Sequence, residues 1–154
     1  MLKLENVVAG YGHITALKSI SLEVPQGSIV SLIGANGAGK STTMKTIMGL
    51  VKPTEGSITF EGQDITGMKT HNIVKAGISL VPEGRQILSD MSVYENLEMG
   101  AYIRNDKEIE DDIKKVFKRF PILDERSYKM GGTLSGVKQQ LLAFGGVWWA
   151  RSKW

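Results

Sequence analysis

Eight consecutive residues, Gly34-Ala-Asn-Gly-Ala-Gly-Lys-Ser41, have the types and spacing that grip phosphate. They fit the pattern G-x-x-x-x-G-K-[ST], with Gly34, Gly39, Lys40 and Ser41 in its fixed places. Glycines at 37 and 39 let successive backbone N–H groups turn inward around anionic oxygens. A helix starting at Lys40 would add the partial positive charge of its N-terminus at the same point. Lys40 would then reach the β- and γ-phosphates of a nucleotide, and the Ser41 hydroxyl would bind Mg²⁺. Asn36, Gly37, Ala38 and Thr42 complete the stretch expected to line the phosphates. The bland alternative is a chance glycine turn before a helix. Context argues against it, because the motif is meaningful only between a strand and a helix. Ser28-Ile-Val-Ser-Leu-Ile33 is a short apolar run that reads as a buried strand, and Lys40 to Leu50 reads as a helix.

The elements around this loop suggest how it is positioned. Leu2 to Val8 and Ala16 to Val24 read as strands joined through the turn Gly10-Tyr-Gly12. Lys52-Pro-Thr-Glu-Gly56 ends the loop's helix and opens a hairpin, Ser57 to Gly62. Lys69 to Ala76 reads as a short helix, Ile78-Ser-Leu-Val81 as a second apolar strand, and Pro82 to Asp90 as a polar loop. Ser92-Val-Tyr-Glu95 is a capping box opening a helix to about Tyr102. Asn105 and Glu108 form a similar start for the next helix, which ends near Phe120-Pro121 and gathers Ile109, Ile113, Val116, Phe117 and Phe120 on one face. Its acids precede its bases, as the helix dipole favours. That order permits the pairs Glu110–Lys114 and Asp111–Lys115 on a solvated surface. Strands alternating with helices, with antiparallel strands ahead of the loop, imply an α/β sheet beside an antiparallel β layer.

Composition excludes several functions. The 154 residues suit one domain with a real core. No apolar run approaches membrane-spanning length, and the first residues lack a signal-peptide pattern. The absence of cysteine excludes disulfides and thiolate metal sites and suits a cytosolic protein. The net charge of +3 is no nucleic-acid footprint: residues 1–125 hold 14 Lys+Arg against 16 Asp+Glu, and the excess comes from Arg126, Lys129, Lys138, Arg151 and Lys153. His13 and His71 read as solvated loop residues, since a metal needs several ligands close together.

A phosphate loop alone does not choose between GTPases, kinases and transport ATPases. Three further stretches bear on that choice. Tyr11 lies in a glycine turn ahead of the loop. Val81 is followed by Pro-Glu-Gly-Arg-Gln-Ile-Leu-Ser-Asp-Met-Ser-Val-Tyr-Glu-Asn-Leu. Leu134-Ser-Gly-Val-Lys-Gln-Gln140 opens another helical stretch. Together these residues resemble the ATP-binding subunits of ABC transporters over about residues 1–145. The wording around Leu80-Val-Pro-Glu-Gly-Arg85 and Asn36 to Thr43 is similar to the subgroup serving branched-chain amino acid importers.

The resemblance implies a phosphate-loop NTPase core with a mostly parallel sheet, an N-terminal antiparallel β layer and a helical subdomain at about residues 86–140, all in one incomplete domain, 1–154. It implies that Tyr11 stacks on adenine. Glu83, where the family usually has Gln, would stand in the loop that touches the Mg²⁺ site and the membrane partner. Leu134, Ser135, Gly136 and Gln139 would bind the ATP held by a second ATP-binding subunit, identical or not. ATP and Mg²⁺ are the implied cofactors. Transmembrane permease subunits are the implied partners, with the chain cytoplasmic and peripheral on the inner face of the cell membrane.

The chain departs from the family pattern near its end. Val137 stands where the signature has its second glycine, and Lys138 where an acid is common. The family next needs an apolar strand ending in Asp-Glu and then a histidine loop, yet no Asp or Glu follows Glu125 and no His follows His71. No catalytic residue can therefore be assigned, and a copy truncated after the signature is the expectation. The missing strand would lie beside residues 28–33, whose apolar surface and backbone groups it would cover. The alternative function is a non-catalytic module that holds nucleotide or docks on a permease. A small kinase or GTPase fits poorly, because no Asn-Lys-x-Asp run is present.

Overall fold

A two-residue turn at Gly12-His13 joins two long strands, β1 (Leu2–Tyr11) and β2 (Ile14–Val24), paired antiparallel from Leu2↔Val24 to Tyr11↔Ile14. Gly12 takes the positive φ of 56° that such tight hairpins require. These coordinates are a computed structural model describing residues 1–81, 84, 87–102, 104 and 106–149, with backbone only for Trp148 and Trp149. They divide into two compact units, 1–79 and 80–154.

In the first unit β3 (Pro53–Phe60) pairs antiparallel with β1, and β4 (Gln63–Asp64) with β3. The strand order is β2-β1-β3-β4. Glu61 and Gly62, both at positive φ, make the tight turn between β3 and β4. One sheet face buries Leu4, Val7, Ala9, Leu17 and Ile58 against Ile47 and Val51, which lie at and beyond the end of helix α1 (Lys40–Ile47). Helix α2 (Thr70–Ala76) closes at Gly77, whose φ of 114° ends it in the left-handed region.

Two expected strands do not form. Residues 28–33 carry no strand pairing, and Ile29 and Ile33 are 98% and 92% exposed. Residues 78–81 likewise carry no strand pairing. The apolar run is a strand sequence, but a strand exists only through hydrogen bonds to a neighbour. Among the described residues no segment supplies one, so the sheet that forms is wholly antiparallel. The antiparallel layer, the phosphate loop with its helix, and the later helices are present.

The second unit is helical. Helix α3 (Val93–Gly100) carries the expected capping box: Glu95 N–H donates to Ser92 Oγ at 3.2 Å, and Ser92 N–H donates to Glu95 Oε2 at 2.7 Å. The α3 cap is anchored by Asn96, whose amide donates to the carbonyls of Leu88, Met91 and Ser92. Helices α4 (Ile109–Arg119), α5 (Pro121–Asp124) and α6 (Gly136–Trp149) follow, with a 3₁₀ turn at Gly131–Thr133. Val93, Leu97, Ile113, Val116, Leu123, Leu134 and Leu142 form the core, and Ile109, Phe117 and Phe120 pack at its margin as the helical spacing required. α3 and α6 approach closely at glycines. A Cβ on Gly100 would strike the Gly146 carbonyl oxygen, and one on Gly145 would meet Val116 and Leu97 at 3.1 and 3.2 Å.

The charge run on α4 differs from its expected form in two ways. Its ion pairs are Asp111–Lys114 and Asp112–Lys115, both at 2.8 Å and three residues apart, not the four-residue pairs Glu110–Lys114 and Asp111–Lys115. Both spacings are neighbours on a helix. The shorter one wins here because Asp112 faces inward, at 1% exposure, and Arg104 holds its other oxygen at 2.8 Å. One member of this run is thus buried and paired, not solvated. Glu108 occupies the N-cap position without a side-chain cap bond; Asp106 Oδ1 instead accepts from Glu108 N–H at 3.1 Å. Asn105, expected at this start, lies outside the described residues.

Candidate functional site

The glycine-rich stretch 34–39 joins the unpaired residues 28–33 to α1 through a tight turn. Ala38 N–H donates to Ala35 O at 3.1 Å, with Gly37 at φ 84° in the third place, the geometry that favours glycine there. Gly39 at φ 91° then caps α1. A Cβ on Gly39 would lie 2.8 Å from Leu17 Cδ2 and 3.2 Å from Ala16 O, so the loop rests on β2 only because residue 39 has none. Ala16 and Leu17 are the residues that sequence reasoning missed. Their signal was the alternation of β2, which marked Leu17 as inward-facing without showing what it would meet.

Around this turn the backbone is rich in unused donors. The N–H groups of Gly37, Gly39, Lys40 and Thr42 make no hydrogen bond among the described residues. The first backbone acceptor bond of the helix is Thr43 N–H to Gly39 O at 2.8 Å, reinforced by Thr43 Oγ1 to the same oxygen at 2.9 Å. Lys40 Nζ donates to Gly34 O and Ala35 O, each at 2.7 Å, which folds the ammonium over the mouth of the loop. Gly34 to Ala38 are exposed, Lys40 is half-buried and Thr42 is buried. Four unpaired N–H groups, a helix N-terminus and an ammonium make a site for a multiply charged anion.

Ser41 is exposed in the first turn of α1, between half-buried Lys40 and buried Thr42. Mg²⁺ in nucleotide sites is held by one or two protein oxygens plus phosphates, so a single hydroxyl beside a phosphate cradle fits it. No cluster of three His, Asp or Glu side chains exists among the described residues.

Tyr11 ends β1, paired with Ile14 two positions beyond Ala9, across a stretch where the β1–β2 register is irregular. Its ring is half-exposed, at 48%. Ala9 pairs with Leu17, the residue beneath Gly39, so Tyr11 stands two positions along β1 from the pairing on which the phosphate loop rests. Glu83 lies outside the described residues.

The signature-like residues belong to the second unit. Leu134 is buried in its core, and α6 begins at Gly136, directly after Ser135. Gln139 N–H donates to Ser135 O at 2.9 Å, and Gln139 Nε2 makes long bonds of 3.4 Å to Gly131 O and Gly132 O. Val137 is 75% exposed on the first turn of this helix. The resulting surface is a helix N-terminus with an adjacent hydroxyl and glycine.

Comparisons with known proteins agree with one another. Residues 17–154 match the family model described as ABC transporter. The chain is 43% identical over 145 residues to the high-affinity branched-chain amino acid transport ATP-binding protein BraG of Pseudomonas aeruginosa, covering 94% of this chain and 62% of that one. It is 34% identical to a probable branched-chain amino acid transport ATP-binding protein, LivF, of Archaeoglobus fulgidus, covering 93% and 61%. The chain therefore spans less than two thirds of these relatives' length. Among solved structures, a nucleotide-free ATP-binding cassette from an ABC transporter superposes with a TM-score of 0.84 at 30% identity, over 97% of this chain and 65% of that one. A dimeric, post-hydrolysis cassette bound to ADP and Pi superposes with a TM-score of 0.81 at 26% identity, over 96% and 68%.

Proposed function

Because the chain belongs to the ABC transporter family, whose model matches residues 17–154, we propose that it is the ATP-binding part of an importer motor, with branched-chain amino acids as the transported class. The observation that carries this reading is the array of unpaired N–H groups at Gly37, Gly39, Lys40 and Thr42 beneath the Lys40 ammonium. In it, Gly34 and Asn36 to Thr42 hold the phosphates, with Ser41 also carrying Mg²⁺, and Tyr11 supplies a π-face for adenine. Mg²⁺ would supply charge neutralisation at the β- and γ-phosphates. The residues of this chain bind and orient the nucleotide; none is assigned to the attacking water.

Leu134, Ser135, Gly136 and Gln139 would meet the ATP held by a second such subunit, which makes nucleotide part of a dimer interface and couples its binding to a permease in the membrane. No described helix is long and apolar enough to cross a membrane; the likeness to importer ATP-binding subunits supports a place at the cytoplasmic face through that permease. The transported class rests on the names of the two relatives above.

A second reading is favoured by one observation: no Asp or Glu follows Glu125. These 154 residues would then bind nucleotide without cutting it. Measured Mg-ATP affinity and phosphate release from the pure chain test both. Binding without turnover is expected, and Lys40→Ala should weaken binding by at least about tenfold, the loss of one charge-assisted contact worth about 1.4 kcal/mol. Unchanged affinity in that variant would remove the phosphate-loop reading. Turnover at the rate of ordinary ATPases would remove the second.

A further inference from the structure

Asn36 is the only asparagine in the chain followed by glycine, and the structure leaves both residues open to reaction. Both are exposed. Neither the Asn36 side-chain amide nor the Gly37 N–H makes a hydrogen bond among the described residues. Apart from its chain neighbours, no atom of the described residues lies within 4 Å of the place a Cβ on Gly37 would occupy, and glycine itself puts no side chain beside the nitrogen. The other described asparagines are guarded. Asn96 is held by bonds to Leu88, Met91 and Ser92 and is followed by leucine. Asn6 accepts from Ser21 Oγ at 3.4 Å and precedes valine. Asn72 lies inside α2 before isoleucine, whose branched Cβ shields the next nitrogen.

We infer that Asn36 is a spontaneous deamidation site whose product turns the phosphate loop from accepting anions to repelling them. The Gly37 backbone nitrogen attacks Asn36 Cγ, forming a C–N bond. The Cγ–Nδ2 bond breaks, and the Gly37 amide proton leaves with Nδ2 as ammonia. Water then opens the five-membered imide at either carbonyl, leaving aspartate or isoaspartate at position 36; nothing is oxidised or reduced. Asn36 and Gly37 are the two central residues of the turn closed by Ala38 N–H and Ala35 O, so a ligand that clamps this turn restricts the backbone rotation the ring needs and slows the step. The new carboxylate stands in the same loop as Lys40, offsetting its charge beside donors that should face phosphate. This consequence rests on the nucleotide reading above; the amide chemistry does not.

Peptide mapping by mass spectrometry after incubation of the 154-residue chain in mildly alkaline buffer, with and without Mg-ATP, tests the inference. The peptide spanning Asn36 should exchange its amide for a hydroxyl, with isoaspartate as a product, several-fold faster than those spanning Asn72 and Asn96, and Mg-ATP should slow it. An Asn36 amide that outlasts the other two would overturn the inference. Asn36→Asp, standing in for the product, should bind ATP on the order of tenfold more weakly than the intact chain, as a like charge within the loop requires. Equal affinity would overturn the loss of anion binding. Should the intact chain bind no ATP, the proposed function falls and that loss falls with it, while the peptide map still decides the amide chemistry.

Discussion

At the scale of single residues, the chemistry is decided by which polar groups have partners. Residues 37–42 leave four N–H donors unpaired among the described residues, whereas Asp112 is buried and held by Arg104 on one oxygen and Lys115 on the other. Arg104 is pushed above its ordinary value, chiefly by its hydrogen bonds to Asp106, and burial opposes this. Asp112→Asn should cost about 1.5–2 kcal/mol, because it weakens the charge-assisted bonds that Arg104 and Lys115 make to a buried carboxylate while Asp106 keeps the guanidinium paired. Chemical denaturation measures this, and a change below about 0.5 kcal/mol, the range of ordinary surface changes, would contradict the buried role. Sequence reasoning treated the α4 charges as a solvated run. Nothing in residue type distinguishes Asp111 from Asp112; the inward direction of one is a property of the packed helix.

At the scale of elements, the caps were legible because they depend on neighbours in sequence. Ser92 and Glu95 satisfy each other's backbone as their spacing required, and those bonds hold the Glu95 carboxyl below its usual range. A carboxylate with a lowered folded value contributes stability above its unfolded value, near 4.5, and loses it as pH falls through the lower folded value. Replacing Glu95 with Gln should thus flatten the melting temperature against pH in that acid window and leave the neutral-to-alkaline slope alone. Ser92→Ala should cost about 1 kcal/mol from the same cap, read by denaturation. The meeting of α3 with α6 was not legible. Gly100 and Gly146 lie far apart in sequence, and only the crossing shows that a Cβ on Gly100 would strike the Gly146 carbonyl. Gly100→Val should cost about 2–3 kcal/mol by pushing the helices apart. A melt unchanged from the parent chain would mean the contact is looser than drawn.

At the scale of the whole molecule, residues 28–33 show where local pattern ceases to decide. Their apolar composition reads as a buried strand, yet Ile29 and Ile33 stand in solvent because no described segment pairs with them. Replacing both by serine should change stability by less than about 0.5 kcal/mol, where a buried strand would lose several times that; denaturant titration separates the two. The amino-acid sequence by itself determined the glycine turn at 34–39 and the helix after it, the hairpin of β1 and β2, the α3 cap and the apolar face of α4. Each is a matter of glycine φ, capping or periodicity within a few residues. Tertiary structure alone decided that Leu17 floors Gly39, that Asp112 is buried and that residues 28–33 remain unpaired. Those outcomes depend on which surfaces meet, and burial and strand pairing are properties of two partners, of which any one stretch of sequence is only the first.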